Sequence, residues 1–87
     1  MPLDVNAIRA QFPALLRTVG DQPAAYLDGP GGTQVPDRVI EAIGGFLRAG
    51  GSNLGGPFVT SRETDAITES ARAAVGALYN ASADEIA

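Results

Sequence analysis

Apolar residues recur along the chain at helical spacing in three places. Val5, Ile8 and Phe12 fall at i, i+3 and i+7, which predicts a short helix over residues 4–12 with Asp4 as its N-cap. Pro13 ends it, because the residue before a proline is pushed out of the α region. Val39, Ile40, Ile43, Phe46 and Leu47 make the stripe of a second helix, over residues 36–48. Its first turn carries Pro36 and Asp37 and its last turn Arg48, as the helix dipole favours. Ile67, Ala71, Ala74, Val75 and Leu78 mark a third and longer helix, over residues 61–79. Thr60 and Glu63 have the spacing of a capping box, and Asn80 suits the position just past the last turn.

Between these stripes the chain is punctuated by turn residues. TVGDQP over residues 18–23 reads as a turn, and residues 24–27 as one short strand. DGPGG over residues 28–32 is the densest turn signal, and GGSNLGGP over residues 50–57 is a second glycine-rich stretch. Both loops are expected to be mobile on the nanosecond to microsecond scale. Gly44 and Gly45 inside the second helix each cost about 1 kcal/mol relative to alanine, so close packing is expected there. Ser82 and Glu85 repeat the capping-box spacing, as if a further element were starting. The predicted class is mainly α for the chain by itself, with three helices and at most one short strand.

Size limits what these elements can bury. The 87 residues carry 11 glycines, and many of their apolar positions are alanine, which fills a core poorly. A compact domain this small buries only about 60–65% of the surface its unfolded chain exposes. Thin stability is therefore expected, with Phe12, Phe46 and Phe58 as core residues. Apolar helix faces are expected to stay uncovered and to drive self-association through Val39, Ile43 and Phe46.

The absent residue types exclude most chemistry. The chain has no Cys, no His and no Trp, and all six of its cations are arginines, so it has no Lys. Disulfides, thiol nucleophiles, tetrahedral zinc and Ser-His-Asp catalysis are excluded. No Schiff-base lysine and no Walker-type lysine exists. The formal net charge is −4, with the arginines scattered, which argues against nucleic acid as a partner. No apolar run reaches membrane-spanning length and no signal peptide is evident, so a cytoplasmic location and no membrane partner are expected. No metal-ligating set and no catalytic residue can be named.

The glycine loops are the remaining candidates. Residues 29–33 before a helix form either an anion cradle of backbone N–H groups or a tight turn. Asp28 reads as a catalytic carboxylate, an Asx-turn residue or a cap. Arg62 reads as an anion grip or a solvated side chain, and Asn53 as a left-handed residue or a loop-fixing one.

Several of these residues together resemble a known family. They are YLDGPGGTQVP at 26–36, preceded by Ala25, then Val39, Ile40 and Ile43, then NLGGPFVTSR at 53–62, the alanine-rich helix, and Ala83-Asp84-Glu85-Ile86. This series resembles the opening part of the class V aminotransferase and cysteine desulfurase-like enzymes, which use pyridoxal 5′-phosphate and have the α/β fold-type I architecture. Spacing matches over about 75 residues. The resemblance implies that residues 1–58 are a small-domain-like segment and residues 59–87 the first helix of the large domain. It implies that Gly29, Pro30, Gly31, Gly32 and Thr33 lie on the substrate side of the cofactor pocket. It implies the same for Asn53, Gly55 and Gly56, where the desulfurases carry His-Arg at the two glycine positions.

The reading that follows is an N-terminal fragment of such an enzyme, not catalytic alone and not binding the cofactor covalently. Its partners would be the remainder of the parent enzyme and a homodimer mate. The alternative is a free-standing small helical protein-interaction domain, and a weaker third reading is a small anion-binding module.

Overall fold

In a computed structural model that describes all 87 residues, Asp4 caps the first helix, its Oδ1 accepting the Ala7 N–H at 3.0 Å. The helix α1 is Val5–Arg9. Phe12 follows in extended conformation, and Pro13 opens a short 3-10 segment, Pro13–Leu16. The chain divides into two compact units, Met1–Gly45 and Phe46–Ala87.

In the first unit β1 (Thr18–Val19) and β2 (Gln22–Pro23) form an antiparallel hairpin, pairing Thr18 with Pro23 and Val19 with Gln22. The two-residue loop needs a positive φ, and Gly20 supplies it at 60°. This corrects the expected strand over residues 24–27, which are irregular. An isolated run of that length has no neighbouring strand for its backbone, whereas residues 18–23 pair with each other. Two further bonds hold this unit together. The Tyr26 hydroxyl donates to the Ala14 carbonyl at 2.7 Å, and the Asp37 N–H donates to the Gln11 carbonyl at 2.9 Å. The second bond fixes the start of α2, Asp37–Ala49, which ends at Gly50 with φ 104°.

In the second unit α3 covers Val59–Tyr79 and closes at Asn80, left-handed at φ 54° and ψ 43°, as its position predicts. Its start differs from expectation. The Arg62 N–H reaches the Phe58 carbonyl at 3.1 Å, so the helical ladder begins there and Thr60 lies in the first turn rather than capping it. The capping box expected at Ser82 and Glu85 is present, opening a 3-10 segment, Ala83–Glu85, that packs on α3.

Glu85 Oε2 accepts from the Ser82 N–H at 2.8 Å and from its hydroxyl at 3.1 Å. These bonds, the backbone one first, hold the Glu85 carboxyl below the usual glutamate range. A depressed folded-state pKa gives stability that is present above the unfolded value and lost as pH falls through the folded one. The Ser82 amide resonance is therefore expected to titrate with a midpoint below that of a free glutamate. A midpoint at the ordinary glutamate value would show that the box does not form in solution.

No hydrophobic residue is buried; Ser61 is the sole buried polar residue, and its exposure is 0%. The accessible surface is 7222 Å². The expected aromatic core is therefore not formed within the chain: Phe12 and Phe46 are half-buried and Phe58 is exposed. The close packing expected around the paired helix glycines is also absent at Gly45, where an added Cβ would meet nothing. No helix is long and apolar enough to cross a membrane.

Candidate functional site

The two glycine loops fall in different units. In the first, Gly29–Gly31 form a single 3-10 turn capped by Asp28, whose Oδ1 accepts the Gly31 N–H at 3.1 Å. Of the three roles open to Asp28, capping is the one its contacts show. Gly32 takes φ 137°, which needs glycine, whereas a side chain at position 31 would have to push the Asp28 carboxylate aside. The Gly31 N–H also approaches the Asp28 carbonyl at 3.1 Å, and the Gly32 N–H bonds the Gly29 carbonyl at 3.0 Å. The first amide of α2 is engaged with Gln11, as above. These amides are turned inward on the chain itself, which disfavours the anion-cradle reading. Gly29, Pro30, Gly31, Gly32 and Thr33 are all exposed.

The second loop is far more elaborately held. Ser61 stands at the junction: its Oγ donates to the Asn53 carbonyl at 2.6 Å and accepts the Gly56 N–H at 2.7 Å. Asp65 Oδ1 accepts the Gly55 N–H at 3.0 Å, and Thr64 Oγ1 accepts the Ser52 N–H at 3.3 Å. Arg62 donates to the Pro57 carbonyl. Gly55 sits at φ 81°, and a Cβ on Gly56 would lie 2.5 Å from the Phe58 ring and 3.0 Å from Ser61 Oγ. The loop is thus clamped to the first two turns of α3. The amides of Ser52, Gly55 and Gly56 and the carbonyls of Asn53 and Pro57 are taken up internally, while Asn53 remains exposed.

The residues that organise this loop escape a reading by motif. Ser61, Thr64 and Asp65 look like an ordinary polar helix start. Their spacing of i, i+3 and i+4 places them on one helix face, and that is the signal by which they were findable. Arg62, open between anion grip and solvated side chain, instead supports the loop backbone. An open groove lined by Glu69, Arg72, Ala83, Asp84 and Ile86 lies elsewhere on this unit and includes neither loop.

The amino-acid sequence matches known proteins over most of its length. Residues 25–87 match the family described as aminotransferase class-V. The chain is 39% identical over 88 residues to a cysteine desulfurase of Enterobacter sp. (strain 638), covering 99% of this chain and 22% of that protein. It is likewise 39% identical over 88 residues to a probable cysteine desulfurase 2 of Mycobacterium leprae (strain TN), covering 98% and 21%. A probable cysteine desulfurase of Vibrio cholerae serotype O1 is 44% identical over 54 residues, 62% of this chain and 13% of that protein. The chain belongs to the class V aminotransferase family. It spans about a fifth of the length of the relatives that match it throughout.

The family implies pyridoxal 5′-phosphate in the parent enzyme. The residues present here do not fit that group by themselves. There is no lysine to form an imine, and the Gly31 and Gly32 amides are engaged within their own turn. No step of a reaction is therefore assigned to this chain alone.

Proposed function

We propose that this chain is the N-terminal part of a cysteine desulfurase-like class V enzyme, in which its two glycine loops line the substrate side of the cofactor pocket. In this reading residues 1–58 belong to the small domain and residues 59–87 open the large one. The chain supplies shape rather than chemistry and is inert alone, in the cytoplasm. The observation that carries the reading is the clamped loop of Asn53, Gly55 and Gly56. Four side chains of α3 fix a segment that has no core to support it, a use of polar groups suited to a wall that must hold its geometry against a ligand. Identity with cysteine desulfurases across nearly the whole chain supports the choice of parent.

A chimera tests it. This chain replaces the matching fifth of the Enterobacter cysteine desulfurase. The expected product retains about one cofactor per chain, while cysteine turnover falls, because Gly55 and Gly56 offer no side chains where the desulfurases carry His-Arg. A folded chimera without cofactor would overturn the pocket-lining role and favour a free-standing interaction domain.

A further inference from the structure

Asp28 is the one aspartate in the chain that precedes a glycine, and no asparagine precedes one. A glycine leaves its own backbone nitrogen unshielded, because no Cβ stands beside it. At Gly29 an added Cβ would meet nothing within 4 Å, and both Asp28 and Gly29 are exposed. The Gly29 N–H has no hydrogen-bond partner, so its use as a nucleophile sacrifices no bond of its own. We propose that Asp28–Gly29 is a self-modification site, where a succinimide forms and opens to isoaspartate, and that the Asp28 cap holds this reaction off while the turn is formed.

In the first step the Gly29 nitrogen bonds to Asp28 Cγ. One Cγ–O bond breaks, and its oxygen leaves as water with the carboxyl proton and the amide proton. Water then adds to the former main-chain carbonyl of Asp28 and opens the cyclic imide to isoaspartate, with no net change in mass or oxidation state. The folded turn opposes the first step. In an L residue, Cβ and the next nitrogen eclipse at ψ of about −120° and stand anti at about 60°. Asp28 has ψ 72°, so the Gly29 nitrogen lies nearly anti to Cβ, where no such ring can close. The Gly31 N–H fixes this arrangement by approaching both Asp28 acceptors, Oδ1 at 3.1 Å and the main-chain carbonyl at 3.1 Å. Those two groups exchange roles in isoaspartate: the main chain runs through Cγ, and the old carbonyl carbon becomes the free carboxylate. The product therefore cannot rebuild the cap. Opening the turn gives up one shared hydrogen bond at an exposed site, a factor of about three to ten in population. This inference does not depend on the enzyme reading, and failure of the chimera would leave it standing.

Ring opening in heavy-oxygen water marks the site, because the new carboxylate keeps one oxygen of the solvent. The full chain and a synthetic peptide of residues 24–33 are incubated in that water at neutral pH, digested and mapped by mass spectrometry. The chain is expected to take up label at Asp28 about three to ten times more slowly than the peptide, and at no other aspartate on that timescale. Gly31→Ala, whose Cβ displaces the Asp28 carboxylate from its cap, is expected to raise the rate in the chain to that of the peptide with the far-UV spectrum unchanged. Asp28→Glu, in which the ring would need another member, is expected to take up none at that position. Equal rates in the unsubstituted chain and the peptide would overturn the protection by the cap. So would a Gly31→Ala chain no faster than the unsubstituted one. An unlabelled Asp28 in the chain after about ten times the period in which the peptide converts would overturn the site itself.

Discussion

Replacing Ser61 with alanine is expected to free the second glycine loop while leaving α3 helical. The hydroxyl is fully enclosed and bonds two backbone groups of the loop, the Asn53 carbonyl and the Gly56 amide. Leaving a shielded polar group unpaired costs about 1–3 kcal/mol, and alanine removes the partner without giving water easy access. The Gly56 amide should then exchange about 10–100 times faster, since each 1.4 kcal/mol is a factor of ten. The far-UV spectrum should barely change, because alanine is the better helix former. An unaltered Gly56 exchange rate would mean that Phe58 and the remaining bonds hold the loop without Ser61.

The Gly76→Ala variant sets two physical effects against each other, and geometry decides the sign. Propensity alone favours alanine in a helix by about 1 kcal/mol. Gly76, however, is buried one turn before the helix end, and an added Cβ would lie 2.7 Å from the Ala81 carbonyl oxygen. That oxygen belongs to the backbone, which is tied back by the 2.8 Å bond from the Ala81 N–H to the Gly76 carbonyl. Relief requires the chain after Asn80 to move, carrying the Ser82–Glu85 box with it. Overpacking of this kind costs about 1–3 kcal/mol, enough to outweigh the gain in propensity. The variant is expected to melt at a lower temperature than the unsubstituted chain by circular dichroism. A rise in melting temperature would show that residues 81–82 yield freely.

What was legible in the sequence was the local chemistry. The Asp4 cap, the left-handed Asn80 and the Ser82–Glu85 box were readable because each depends on side chains within three or four residues of one another. The family was readable too, since YLDGPGGTQVP and NLGGPF keep their spacing whatever the chain packs against. The misreadings share a different cause. Residues 24–27 have strand composition, yet a strand needs a neighbour, and only residues 18–23 found one. Phe58 is apolar, yet becoming core requires a core, and its apolar neighbours are exposed. The clamp at Ser61, Thr64 and Asp65 was hidden because polar residues at a helix start have an ordinary explanation, and nothing in the letters shows that a loop folds back onto them.

The hydrogen bonds that shape the second loop all join residues between 5 and 12 positions apart. Such contacts close short loops, and closing about ten residues takes on the order of 10–100 ns, while a helix forms in about a microsecond. A ribosome adds about 5–20 residues each second. The loop and its helix therefore have time to assemble and fall apart many thousands of times before the next amino acid is attached. The wall is shaped by equilibrium among neighbours in sequence, well ahead of any slower docking, and whatever later packs against it meets a surface already set.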